Sequence, residues 1–142
     1  MASQLKVDTL TGVTTAGSIA VTGEGISTTT NLQQGLCKAW GQFVGTGTPA
    51  FGDVFNVSGI TDNGTGDYTF PFSSAMVNND YSSTFSANSG TTTDLHATCG
   101  RVASFGTSSI RVLYTFAEAS GTDTGTKFDP GFACLTIHGD LA

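Results

Sequence analysis

The six residues from Asp62 to Asp67, DNGTGD, bring together two aspartates, one asparagine and two glycines. Such a segment can hold calcium, line an active site, carry a glycan or form a tight turn. An EF-hand-type calcium loop needs oxygen ligands at alternating positions and a terminal bidentate glutamate. Gly64 and Gly66 occupy the alternate positions after Asp62, and no glutamate follows. Because Asp, Asn and Gly tolerate positive φ and apolar stretches flank the loop, the sequence predicts the turn of a β-hairpin and no metal site.

Two sequons, Asn56-Val57-Ser58 and Asn63-Gly64-Thr65, have the pattern of glycan acceptors. The N-terminal residues MASQLKVDTLTGV contain no basic region followed by an apolar run, so we expect no secretory signal and therefore no glycosylation. No apolar run approaches membrane-spanning length, and we expect no membrane insertion.

Catalytic residues are not marked by any spacing. The only histidines, His96 and His138, stand singly on predicted strands, and no carboxylate lies at a sequence spacing typical of a catalytic or metal site. This arrangement favours exposed or core-edge positions for both histidines. In a homotrimer, one of them could instead converge on the axis from three chains. A nucleophile elbow of the form G-x-S-x-G is absent. A carboxylate pair for glycoside hydrolysis could be selected from Asp94, Glu118, Asp123 and Asp129, but any chain with eleven acidic residues allows such a selection. We expect no enzyme and no cofactor.

The single tryptophan, Trp40, lies in the alternating segment KAWGQF, residues 38–43. One face of this predicted strand is small and apolar, and the other is amphipathic and carries Trp40. An amphipathic aromatic ring suits a core position, a subunit contact or a platform for stacking sugars, and the sequence leaves these three open. The two faces are Ala39, Gly41, Phe43 and Lys38, Trp40, Gln42.

Composition favours an all-β protein. Only 11% of the 142 residues are charged, about half the usual share, while Gly, Ser and Thr are plentiful, which favours short strands and tight turns over helices. The net charge is −6, and the five basic residues are scattered, so we expect no nucleic-acid partner. The three cysteines, Cys37, Cys99 and Cys134, form no CxxC pair. They are predicted to be buried free thiols of a protein made in reducing cytoplasm, and the alternative is one disulfide and one spare thiol.

The chain divides in composition near residue 36. Residues 1–36 contain no aromatic residue, and their alternating apolar side chains predict two short strands, around residues 5–9 and 19–21, followed by a helical turn within residues 27–36. This segment has too little apolar surface to form a core, so it is either a disordered tail or a segment that a partner orders. The alternation of its apolar residues favours the second. Residues 37–142 are predicted to form about seven strands arranged as a β-sandwich, a jelly roll or a small barrel.

The predicted strands specify which side chains share a face. We expect a loop with one helical turn at residues 73–81 and a long irregular loop at residues 118–131. The inward sets are Val57 with Val54 or Phe55; Tyr68, Phe70 and Phe72, with Pro71 at a strand end or edge; Tyr81, Ser83 and Phe85; Leu95, Ala97 and Cys99; Ile110, Val112, Tyr114 and Phe116; and either Phe132 and Cys134 or Ala133, Leu135 and Ile137.

Three stretches resemble tail-fibre-like or virion structural proteins of phages that infect marine bacteria, of the cyanophage and pelagiphage type. They are MASQLKVDTLTGVTTAGSIAVTGEG, STTTNLQQGLCKAW and FNVSGITDNGTGDYTFPFSSAMVNNDY. The motif A-W-x-x-F-x-G-T-G, then F-N-V-S-x-I-T-D-N-G-T-G-D-Y-T-x-x-F, then A-M and a tyrosine, is typical of the C-terminal end of such fibres. The resemblance is strong over residues 1–85, weak over 86–130 and returns in LTIHGD. Pro71 within the strand and Cys37 in place of a small residue depart from it.

The resemblance implies a virion protein, assembled in the host cytoplasm, with a distal β-rich domain over residues 37–142 and an extended attachment segment over residues 1–36. Such proteins are usually homotrimers, here a tail fibre, a capsid fibre or a decoration protein that contacts other capsid or tail proteins and a host surface glycan. The attachment residues are then Leu5, Val7, Leu10, Ile19 and Val21, and the receptor contacts lie in variable loops at Asn88, Thr92, Asp94, Asp123 and Lys127. A stand-alone carbohydrate-binding module and a glycan-degrading enzyme are the alternatives.

Overall fold

The computed structural model describes residues 5–13, 19–22, 29–88, 98–116 and 125–142. The chain divides into two compact units, Met1–Leu36 and Cys37–Ala142. The division falls where aromatic residues enter the sequence, at the boundary that the composition predicts.

The first unit contains a two-stranded antiparallel sheet and one helical turn. Strand β1 (Ala20–Thr22) pairs with β2 (Thr29–Asn31), and helix α1 (Leu32–Gly35) follows directly. The Asn31 side chain caps this turn, because its Oδ1 accepts from the backbone N–H groups of Gln33 at 2.8 Å and Gln34 at 3.3 Å. The predicted helical turn and the predicted strand around residues 19–21 are confirmed.

The strand predicted at residues 5–9 is wrong. Residues 5–13 form no strand, and Leu5 and Val7 are exposed. Alternation of apolar residues produces a strand only where a neighbouring strand accepts its backbone hydrogen bonds. In this unit the partner of β1 is β2, a segment of Thr and Asn within residues 27–36, for which the sequence predicts a helical turn and no strand.

The second unit is a β-sandwich of two antiparallel sheets, as predicted. One sheet has the order β4-β3-β11-β7, and the other has the order β10-β9-β6-β5 with β8 also paired to β9. Strands β5 and β10 have only two residues each; β5 is the first strand of the predicted hairpin, whereas β10 was not predicted. The strands are β3 (Ala39–Val44), β4 (Ala50–Phe55), β5 (Thr61–Asp62), β6 (Asp67–Pro71), β7 (Ser82–Asn88), β8 (Thr98–Phe105), β9 (Ser109–Phe116), β10 (Thr126–Lys127) and β11 (Phe132–His138).

Aromatic rings from both sheets fill the centre of the sandwich. The Phe43 ring of β3 makes edge-on contacts with Tyr68, Phe70 and Tyr114, at centroid distances of 5.2, 5.1 and 5.7 Å. All four side chains are fully buried. Each such pair contributes roughly 0.5–1.5 kcal/mol beyond the burial of its area. The predicted inward faces of β6 and β9 are therefore confirmed, and Pro71 ends β6 as expected.

The structure decides the alternatives that the alternation left open. On β11 the buried set is Ala133, Leu135 and Ile137. On β4, Val54 is half-buried and Phe55 is exposed. The predicted helical turn at residues 73–81 is wrong, because these residues form a series of bends. The loop is held by bonds to other segments, such as that from the Met76 N–H to the Thr107 carbonyl at 2.8 Å.

The predicted inward sides of two further strands have different outcomes. Tyr81, directly before β7, is buried, and Ser83 and Phe85 on β7 are half-buried between exposed neighbours, so that prediction is confirmed. Leu95 and Ala97 lie outside the described residues.

Candidate binding surface

The outer face of the four-stranded sheet carries the exposed tryptophan. Because side chains alternate along a strand, the residues between the buried positions of β3 and β11 point away from the core. We define the outer face by the outward residues of these four strands, which are Trp40, Gln42, Val44, Ala50, Asp53, Phe55, Ser82, Thr84, Ser86, Asn88, Phe132, Cys134, Thr136 and His138.

Two aromatic residues stand side by side on this face. Trp40 and Phe55 are direct partners in the antiparallel pair of β3 and β4. Their side chains are 37% and 48% exposed. Directly opposed residues place their Cβ atoms about 4.5–5.5 Å apart, so the two rings lie on one patch. The same row continues across the sheet with Thr136 and Thr84. A core position for Trp40 is thereby excluded.

A polar row runs beside the aromatic one. Asp53, Gln42, Cys134 and Ser86 are partners across the four strands. A β-bulge after Gln42 leaves Gly52 as the extra residue of β4, and a Cβ on Gly52 would lie 2.5 Å from the Gln42 Oε1. Glycine therefore lets the Gln42 amide lie close to the sheet.

Asn56 fixes the chain immediately after Phe55. Its φ of 55° is positive, a conformation that asparagine tolerates better than most residues. Its Nδ2 donates to the carbonyls of Lys38 at 2.9 Å and Ser74 at 3.2 Å, and its Oδ1 accepts from the Ser74 N–H at 2.7 Å. These bonds connect the end of β4 to β3 and to the following loop, so the aromatic pair has a rigid base.

The Asp62–Asp67 segment is a hairpin turn, as predicted. It joins β5 to β6, with Gly64 at φ 117° and Gly66 at φ 63°. The Asp62 carboxylate accepts from the Gly64 N–H at 2.9 Å, and the Asn63 N–H donates to the Asp67 carbonyl at 2.8 Å. The turn thus uses its own oxygen atoms as hydrogen-bond acceptors.

Asp67 is the centre of a charge cluster on the second sheet. Its buried carboxylate accepts two bonds from Arg111, from Nε at 2.8 Å and from Nη2 at 2.7 Å, and lies 3.3 Å from the Lys127 Nζ. The hydrogen bond from Arg111 is the largest cause that lowers the pKa of Asp67 to about 2. Lys127, a predicted receptor contact, is therefore part of this cluster, although its side chain remains 45% exposed.

Asp129 holds the other side of the same turn. Its Oδ1 accepts from the Tyr68 hydroxyl at 2.7 Å and from the Gly66 N–H at 2.8 Å. Burial, and then the bond to Asp129, raise the pKa of the Tyr68 hydroxyl far above its ordinary value. Among the four carboxylates weighed for glycoside hydrolysis, Asp129 is thus engaged in the fold. Asp94, Glu118 and Asp123 lie outside the described residues.

The first unit exposes most of its apolar side chains. Leu5 is 81% exposed, and Val7, Leu10 and Val21 are each at least half exposed. Leu10 and Ile19 come together in an open groove of about 310 Å³ that is also lined by Thr11, Gly12, Leu32, Gln33 and Leu36. Two of the five predicted attachment residues therefore share one groove, and the other three do not line it.

The remaining predicted site residues are spread over the molecule. Asn88 is exposed at the end of β7, opposite Phe132, and so belongs to the outer face. His138 is exposed at the end of β11, opposite Ser82. Thr92 and His96 lie outside the described residues, as do the two aspartates of the predicted receptor loops.

Metal ligands do not cluster in the described part of the chain: no group of three His, Cys, Asp or Glu residues is placed to hold an ion. Cys37 and Cys134 are free thiols with half-buried side chains. The Cys37 Sγ donates to the carbonyls of Ala39 at 3.1 Å and Ile137 at 3.4 Å. Within residues 5–13, 19–22, 29–88, 98–116 and 125–142, no helix has the length and apolar character to span a membrane.

The sequence identified Trp40 and placed Gln42 on the same face, but it did not show that Phe55 and Asp53 are their neighbours. The bulge hides the relationship, because alternation along β4 alone does not show which residue faces Trp40. No protein-family model matches the chain, and comparisons with curated proteins and with solved structures gave no significant match.

Proposed function

We propose that this chain is a structural virion protein of a phage, a short homotrimeric fibre or knob on the tail or capsid surface. Residues 1–36 attach it to sister chains and to other virion proteins, and the sandwich of residues 37–142 is the displayed domain. The observation that carries the proposal is that none of the described residues in the first 36 is buried.

This observation points to a partner on energetic grounds. The described residues of the first unit form two three-residue strands and a single helical turn. Ordering each residue costs roughly 1–2 kcal/mol of backbone entropy, and two-stranded sheets are marginal alone in water. Leu5, at 81% exposure, and Val13, at 98%, offer apolar area that another molecule or another copy can cover. The phage-fibre resemblance, which is strong over residues 1–85, includes these residues and supports a virion as the setting.

The second unit supports binding rather than chemistry. Asp62, Asp67 and Asp129 accept hydrogen bonds from the turn, from Arg111 and from Tyr68, and these contacts stabilise the sandwich. Many copies on one particle would convert a weak individual contact into strong attachment through avidity.

A deletion tests the attachment role. Removing residues 1–30 should abolish incorporation of the protein into phage particles, because the exposed apolar segment is lost. The amount per particle is measured by quantitative mass spectrometry of purified phage. Circular dichroism of the truncated protein should still report a folded β domain. Particles that carry the truncated protein at full occupancy would contradict the proposal.

The second candidate is a stand-alone carbohydrate-binding module, which the exposed Trp40–Phe55 pair favours. This candidate predicts a monomer or dimer that binds glycans in solution without residues 1–36. The mass of the full chain in solution separates it from the trimer.

A further inference from the structure

We propose that the outer face of the four-stranded sheet binds an uncharged oligosaccharide, with the Trp40 ring stacked on a sugar ring. This inference concerns residues 40–138 of the second unit and goes beyond the proposed attachment of residues 1–36. Either proposal can therefore fail while the other stands.

The outer face places aromatic rings next to polar side chains, the combination that suits a sugar. A sugar ring has an apolar C–H face and a rim of hydroxyl groups, and amphipathic aromatic rings such as Trp suit the apolar face. Trp40 and Phe55 supply two exposed rings on adjacent strands. In the neighbouring row, the Gln42 amide can donate to and accept from sugar hydroxyls, and the Asp53 carboxylate can accept.

The outer face carries few charged side chains. Asp53 is the only Asp, Glu, Lys or Arg among the outward residues that define the outer face. The face therefore presents no cation to an anionic polysaccharide, and its single carboxylate repels one. Lys38, the basic residue that directly precedes β3, is 4% exposed. An uncharged saccharide is the ligand that matches this surface.

The area of the outer face limits what it can bind. Four strands about 4.8 Å apart and six residues at about 3.3 Å each give a face of roughly 15 by 20 Å, or about 300 Å². A stable interface between two protein copies buries about 800 Å² on each partner. This face is therefore too small to hold a second copy by itself, and it has the dimensions of a short oligosaccharide.

The side chains of the outer face rest on a rigid backbone. The bonds of Asn56 fix the chain after Phe55, and Gly52 lets the Gln42 side chain lie against the sheet. A surface held in place before binding loses little conformational entropy when the ligand arrives.

The full-length protein is titrated with three neutral probes, which are maltoheptaose, cellohexaose and mannohexaose. Trp40 is the only tryptophan, so its fluorescence reports the proposed site directly, and calorimetry provides the affinity. We expect at least one probe to shift the emission and release heat. Trp40→Ala should weaken that binding at least about tenfold, and Trp40→Phe should weaken it less because a ring remains. Gln42→Ala should weaken it without changing the fold.

Phe105→Ala is the matched control. Phe105 is 42% exposed and lies on β8 of the other sheet. Its removal should leave saccharide binding unchanged, and circular dichroism checks the fold of every variant. Absence of heat and of a fluorescence change with all three probes at millimolar concentration would overturn the proposal. It would also be overturned if Trp40→Ala, Trp40→Phe and Gln42→Ala all bound like the wild type. A Trp40→Ala protein that dissociates into monomers while the wild type binds no probe would make the face a subunit contact instead.

Discussion

The charge cluster around Asp67 makes a quantitative prediction about stability. The Asp67 side chain is 5% exposed, whereas those of Arg111 and Lys127 are 46% and 45% exposed. Replacing Asp67 by asparagine removes the charge and keeps the shape. The two cations can then turn to water, so the loss reflects mainly the bonds made to the carboxylate.

The size of the effect follows from the pKa of Asp67. A fall from the ordinary 3.8 to about 2 corresponds to roughly 2.4 kcal/mol of preferential stabilisation of the carboxylate in the folded state. Solvent screening of the half-exposed cations reduces this value, and we expect Asp67→Asn to lower the free energy of unfolding by about 1 kcal/mol at neutral pH. Because the folded pKa is depressed, this contribution is complete above pH 3.8 and is lost as the pH falls through 3.8 towards 2.

Urea unfolding between pH 2 and pH 7 measures both features. The difference between wild type and Asp67→Asn should be constant above about pH 5 and should shrink as the pH falls below 3.8. Asp80→Asn is the control, since Asp80 is exposed. Arg111→Gln should cost more than Asp67→Asn, because it leaves the buried carboxylate with Lys127 as its cationic neighbour. A difference that is equal at pH 2 and pH 7, or an Arg111 variant as stable as the wild type, would refute this reasoning.

Three further substitutions test the packing by chemical denaturation. Asn56→Gly should lower the free energy of unfolding by about 1–2 kcal/mol, because the hydrogen bonds of the Asn56 side chain are lost. Asn56→Ala should lower it by about 1 kcal/mol more, because alanine is strained at the positive φ of this position. Equal losses for the two variants would contradict the role of backbone strain. Gly66→Ala should lower the free energy of unfolding by at least about 3 kcal/mol. A Cβ at this position would lie 2.6 Å from the Tyr114 carbonyl oxygen, and the φ of 63° strains any residue with a side chain. A variant as stable as the wild type would show that this turn can shift. Tyr114→Phe should lower the free energy of unfolding by less than about 1 kcal/mol, or raise it, because the buried Tyr114 hydroxyl has no hydrogen-bond partner among the described residues. A large loss of stability would show that the hydroxyl does have a hydrogen-bond partner.

Local patterns in the sequence were sufficient to predict much of the sandwich. The alternation of Tyr68, Phe70 and Phe72 predicts a strand with one buried side, and the Asp-Asn-Gly turn predicts the hairpin that precedes it. Both depend only on residues close together in the chain, and both are confirmed.

Relationships between distant residues could not be predicted in this way. Asp67 is bound by Arg111 and Lys127, which lie 44 and 60 residues further along the chain. Its acidic side chain suggested a ligand for a turn or a metal, and nothing local indicates a buried ion pair. The pairing of Trp40 with Phe55 is hidden for a similar reason, because the bulge after Gln42 changes the register of β3 and β4.

The mass of the full-length protein in solution tests most directly the claim that residues 1–36 assemble this chain with partners. Light scattering coupled to size exclusion should give about three times the chain mass of 14.5 kDa. Replacing Leu5, Val7 and Leu10 together by asparagine should lower that value towards one chain while the circular dichroism of the sandwich is unchanged. A wild-type mass of 14.5 kDa across the micromolar range would contradict the account.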